Sequence, residues 1–201
     1  MRKMPCVFVR EFVNNRVANI TEQVTPGCEW VLAGEGVPYI KRDGTACAVI
    51  GGALHRRYDA KRGKTPPPNA IPCESPDPVT GHWPHWLPVT DEPQDKWFMA
   101  AWKSLPTFEP AYEHCPLEDG TYELCGPHFQ ANPERLACDT FFSHIDEPVL
   151  HAWATSPTFE SLRKLVSVWD HEGIVFHHED GRMAKIRRAD FGFAWPIPEE
   201  P

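Results

Sequence analysis

No uncharged apolar run in these 201 residues approaches the ~20 that a membrane-crossing helix needs. The best stretch, Ala46 to Leu54, is short and interrupted by Gly51 and Gly52. Near the N-terminus, Val7-Phe8-Val9 is too brief for the apolar region of a secretion signal. No C-x-x-C pair occurs, and the seven cysteines are an odd, scattered set, which reads as reduced thiols in a cytoplasmic protein. Positive charge is in deficit: 20 Lys and Arg face 28 Asp and Glu, for a net charge of -8. A protein that coats nucleic acid without specificity is basic overall, so that class is disfavoured, although a local basic groove still fits. Internal repeats are also missing.

Proline and tryptophan are abundant, at 22 and 8 residues. That much proline argues against a helical bundle, because proline breaks helix interiors and central strands. Most of it lies between Thr65 and Pro93, with Trp83 and Trp86 inside, and this reads as a long irregular loop. Length and an ordinary hydrophobic content of 41% predict one domain over residues 1–201. Gly34 to Ile50 reads as strand–turn–strand about Asp43-Gly44. Asp91 to Ser104 predicts a helix with Trp97, Phe98, Ala101 and Trp102 on or near one face, Trp97 and Trp102 in the core. Gly120 to Gly126 predicts a strand, and Ser156-Pro157-Thr158 a helix start carried to Trp169. Glu172 to His178 predicts a strand, Glu179-Asp180-Gly181 a hairpin turn that leaves His177-His178 exposed, and Met183 to Arg188 the return strand. The class is α+β, mostly antiparallel strands with two or three helices.

Four pieces follow one another in order: Lys41-x-Asp43-Gly44, then Glu123, then Glu172-Gly173-Ile174-Val175, then Lys185-x-Arg187. Taken singly, the first reads as a hairpin with an exposed lysine, and Glu172 with Lys185 as a surface ion pair of little worth. Together they hold what a nucleotide pocket with a covalent lysine needs. A lysine attacks phosphorus only as the neutral amine, which nearby cations and partial burial supply. Lys185 and Arg187, alternating on one strand face, would serve the phosphates. A carboxylate such as Glu172 would hold magnesium, and Glu123 would accept from ribose hydroxyls. From Arg56 to Lys64 the sequence places five basic residues, Arg56, Arg57, Lys61, Arg62 and Lys64, against one acid, which reads as a solvated loop or an RNA-end groove. Cys73, His82 and His85 offer zinc-ligand types, but their spacing matches no standard finger; the alternative is a packed cysteine and two loop histidines.

These pieces resemble motifs I, III, IV and V of the covalent nucleotidyltransferases, the ATP-dependent RNA and DNA ligases and the mRNA capping enzymes. With Gly63-Lys64-Thr65-Pro66-Pro67-Pro68, residues 76–84 and Gly120-Thr121-Tyr122-Glu123-Leu124-Cys125-Gly126-Pro127, the chain resembles the small RNA ligases that include the vertebrate 5′-3′ RNA ligase and its bacterial and phage relatives. The resemblance spans residues 35–190. It implies a nucleotidyltransferase core, ATP-grasp-like, with a long Pro/Trp-rich insertion loop and no appended C-terminal domain, since 13 residues follow Arg188. It implies ATP and magnesium, or manganese, as cofactors, RNA with 5′-phosphate and 3′-hydroxyl ends as partner, and no membrane. Lys41 would be the nucleophile. Ile40, Lys41, Asp43, Gly44, Arg57, Glu123, Glu172, Val175, Lys185 and Arg187 would bind the nucleotide, Glu172 the metal, and Arg56, Arg57, Lys61, Arg62 and Lys64 the RNA. Arg57 is favoured over Arg56 for the ribose or RNA end. Arg187 stands where many relatives carry a second lysine; arginine binds phosphate but is not readily a neutral base. A capping-type or DNA-joining nucleotidyltransferase, and a nucleotide- or RNA-binding module without turnover, are the alternatives.

Overall fold

The computed structural model describes residues 4–14, 16–78, 80–105, 117–145 and 156–198. Along the chain run β1 (Phe8–Val13), β2 (Arg16–Val24), α1 (Glu29–Leu32), β3 (Val37–Lys41), β4 (Thr45–Ile50), β5 (Ala53–Ala60), β6 (Ile71–Pro72) and β7 (Trp83–Pro88). They are followed by α2 (Lys96–Lys103), β8 (Gly120–Cys125), β9 (Thr140–Ser143), α3 (Phe159–Ser167), β10 (Gly173–His177) and β11 (Met183–Arg187). The fold is α+β, and every pairing between these strands is antiparallel. Among the described residues no helix is long and apolar enough to cross a membrane.

The chain divides into two compact units, one built from Gly44–Ser143 and the other from Lys3–Asp43 with His144–Pro201. The first holds a six-stranded sheet in the order β6-β7-β5-β4-β8-β9. Cys47, Val49, Leu54, Tyr122 and Leu124 share one face and pack with Ala101 of α2 and Phe129. The second holds the β1–β2 ribbon and a three-stranded sheet in the order β11-β10-β3. One face of that sheet, with Ile174, Phe176, Ala184 and Ile186, joins Val7, Phe8, Trp30, Val31, Leu162 and Val166 in a dry core. The last two come from α3, whose Thr158 and Ser161 cap its first turn reciprocally.

Several sequence expectations need correction. β3 and β4 do not form a hairpin: β3 pairs with β10 and β4 with β5 and β8, so Asp43-Gly44 is where the chain leaves one sheet for the other. The proline-rich stretch is not wholly irregular, because β7 lies within it, between β5 and β6. Strand alternation reconciles this with its prolines. The Pro84 carbonyl accepts from Cys73 N–H on the β6 side, while Val89 N–H bonds Leu54 on the β5 side. Pro84 and Pro88, of one parity, therefore turn their missing N–H toward the two-residue edge strand and take nothing from the β5 ladder. The first predicted helix begins late, at Lys96, after a 3₁₀ turn over Pro93–Asp95. Trp97 is not core: it is 41% exposed and stacks on His128 at 3.5 Å. α3 ends at Ser167, and Val168 is solvent-exposed.

Candidate active site

Lys41 ends β3, and its register fixes its neighbours. Lys41 lies opposite Gly173, which lies opposite Arg187; Tyr39 lies opposite Val175, and that opposite Lys185. Since side chains alternate across a strand, Lys41, Tyr39, Val175, Lys185 and Arg187 share the face turned away from the core. Gly173 leaves a gap in the row between Lys41 and Arg187. A Cβ there would meet the Ile186 carbonyl oxygen at 2.1 Å, so close strand approach requires glycine. Ile40 belongs to the opposite face, with Ile174, so a nucleotide could meet only its backbone.

The Lys41 amine is ion-paired with the Glu172 carboxylate, whose side chain is 11% exposed. Lys41 is thus neither exposed nor in a hairpin, and Glu172 takes Lys41 rather than Lys185 as its ion-pair partner. Burial pushes the Glu172 carboxyl up, against the opposing pull of Lys41. The strongly lowered amine is Lys185. Burial first, then the charges of Lys41, Arg187 and Arg10, push it down to about 8.

Arg187 is anchored from below. Its Nη2 donates to Asp190 Oδ1 at 2.9 Å, and Arg10 Nη2 donates to the same carboxylate at 2.8 Å. Asp43 accepts from Trp195 Nε1 at 2.8 Å. Arg10, Asp190, Trp195 and Tyr39 were missed by sequence reasoning. Only Tyr39 carried a usable signal, its two-residue spacing from Lys41.

The remaining expected site residues belong to the Gly44–Ser143 unit. Gly44 N–H donates to Glu123 Oε1 at 3.1 Å, and a Cβ on Gly44 would come within 2.4 Å of the Leu124 carbonyl oxygen. Glu123 lies opposite Ala46 on one side and Phe142 on the other, so all three share the face away from the core. The basic run divides. Arg56 Nε donates to buried Asp95 at 2.6 Å, and Arg57 Nε donates to Asp59 at 2.7 Å with its guanidinium over Trp86. Lys61, Arg62 and Lys64 are exposed in the turn after β5. Cys73, His82 and His85 do not converge on a metal. Among the described residues no group of three His, Cys, Asp or Glu is placed to hold one. His85 is buried within β7 rather than in a loop, its Nδ1 within 2.9 Å of the Trp83 carbonyl.

Magnesium needs no protein cage. It is commonly held by one or two carboxylates completed by substrate phosphates and water. Buried Glu172 could supply one such carboxylate, with Lys41, Lys185 and Arg187 on the same sheet side to receive the substrate phosphates that would complete the set. No family model and no curated protein matches this chain.

Proposed function

We propose that the protein is an ATP-dependent RNA ligase that works through a lysyl-AMP intermediate. What supports this reading above all is the cluster on one sheet face: a lysine held by a buried carboxylate, with a second lysine and an arginine two strands away on β11. The Lys41 ammonium first gives a proton to solvent, so that Glu172, its contact partner, stays ionised. The neutral Nζ attacks the α-phosphorus of ATP; the N–P bond forms and the bond to the pyrophosphate oxygen breaks. Lys185 and Arg187 hold the phosphate oxygens and offset the charge that develops on them. A magnesium ion, held by Glu172 together with those oxygens, would further shield that charge. By the resemblance, Glu123 accepts from the ribose hydroxyls and Arg57 contacts the ribose or the RNA end. AMP then passes to an RNA 5′-phosphate, and a 3′-hydroxyl displaces it to seal the strand.

Incubation with ATP labelled at the α-phosphate, with magnesium, tests this. The wild type should acquire an acid-labile phosphoramidate label, and Lys41→Ala should lose it entirely. A wild type that takes no label sinks the enzyme reading and leaves a binding module. Label from GTP, or sealing of nicked DNA in preference to RNA, would redirect it to a capping-type or DNA-joining enzyme.

A further inference from the structure

The face that carries Lys41 continues past Tyr39 to a cavity at the far end of the sheet, about 750 Å³ in volume. Its walls include Tyr39, His177, His178, Glu35, Glu179 and Arg182. β3 connects the two places. The cavity reaches Val37, four residues and roughly 13 Å along the strand from Lys41. The cavity is built, not incidental. The Tyr39 and His177 rings pack at 4.8 Å, and His178 meets Trp30 at 5.2 Å. Arg182 lies over the Trp30 ring at 5.5 Å, and His178 Nε2 is 3.1 Å from Glu35 Oε2. Gly36 has φ +79, and a Cβ there would come within 2.7 Å of the His177 carbonyl oxygen, so the backbone closes on the pocket where only glycine fits. The expectation of an exposed histidine pair is thereby corrected: both rings are half-buried and line a concavity.

We infer that this cavity receives an unpaired base of the RNA strand whose 5′-phosphate accepts AMP from Lys41. This deepens the ligase reading and rests on it. Five of the eight residues that line the cavity are charged or histidine, a larger polar share than a pocket for a free small molecule usually has. The combination of ring faces with one arginine on an open groove is how single strands are held. Burial, and then the charge of His144, lowers the pKa of His177 and so favours its neutral ring. The carboxylates of Glu35 and Glu179 disfavour a phosphate in the pocket. They suit the exocyclic amine of a base: a carboxylate accepts from the cytosine N4 amine, while uracil offers only a carbonyl there.

The test measures binding of short 5′-phosphorylated single-stranded oligocytidylate and oligouridylate by fluorescence anisotropy, alongside α-labelled ATP transfer to Lys41. Wild type should bind oligocytidylate more tightly than oligouridylate. His177→Ala should lose about tenfold in RNA affinity, as loss of one stacking surface implies. His177→Phe should restore it, and both variants should take label from ATP at the wild-type rate. Equal affinity for the two strands, or wild-type RNA binding by His177→Ala, overturns the inference while leaving the ligase reading intact. If the His177 variants instead lose ATP labelling with RNA binding retained, the cavity is part of the ATP site and the inference falls. If the wild type takes no label at all, the ligase reading falls, and the RNA measurement still reports on the cavity by itself.

Discussion

At the scale of single residues, two groups link the face to pH. Lys185, with its pKa pushed down to about 8, binds fewer protons folded than unfolded between there and the ordinary lysine value near 10.4. Stability should therefore rise with pH across that window, because the cost of burying a cation is relieved as the proton leaves. Phosphate binding should move the other way: ATP labelling should weaken as pH climbs through about 8, visible as a rising KM for ATP. Lys185→Met should abolish the stability slope and cut labelling by about 10²-fold. Asp190 has the opposite sign. Burial works to raise its pKa, but hydrogen bonds from Arg187 and Arg10 outweigh that and hold it below the usual carboxylate range. Its contribution is present above the unfolded value near 3.9 and is lost as pH falls through the folded one. Asp190→Asn should cost about 3–5 kcal/mol in chemical denaturation, since it leaves two arginines facing a buried neutral amide. It should also flatten the acid limb of stability.

At the scale of elements, register decides which side chains meet. A one-residue slip of β3 would send Lys41 to the core face and Ile40 to the site face. Glycines protect that register where backbones crowd. Gly173→Ala would drive a methyl into the Ile186 carbonyl, so β10 must separate from β11 or shift. It should lower the thermal midpoint sharply and reduce labelling together with it. Gly27→Ala, where a Cβ meets nothing within 4 Å but φ is +88, should cost only its local backbone strain, of order 1 kcal/mol. Both are read by thermal melts of the purified variants. β8 was legible from its flanking glycines, and β10 and β11 from the Glu179-Asp180-Gly181 turn between them. β7 was not, because proline is normally a strand breaker, and only knowledge of which edge each N–H faces shows why two prolines are tolerated.

At the scale of the whole molecule, the two units differ in how the chain supplies them. One is a continuous stretch, Gly44–Ser143, with its own core; the other is assembled from segments on both sides of it. Expressed alone, residues 44–143 should melt cooperatively, whereas residues 1–43 alone should not, because β3 lacks β10 and Trp30 lacks Leu162 and Val166. Circular dichroism melts of the two fragments check this.

From the sequence alone came the α+β class, the strands that bear the candidate motifs and the identity of Lys41, Glu172, Lys185 and Arg187, because alternation, turn residues and titratable side chains are local properties. Tertiary structure alone decided which of these groups touch. It paired Glu172 with Lys41 across 131 positions, gave the depressed pKa to Lys185, and set Asp190 beneath Arg187 and Arg10. Charge coupling and desolvation depend on distance and burial in space, and strand order, which no local pattern encodes, sets both.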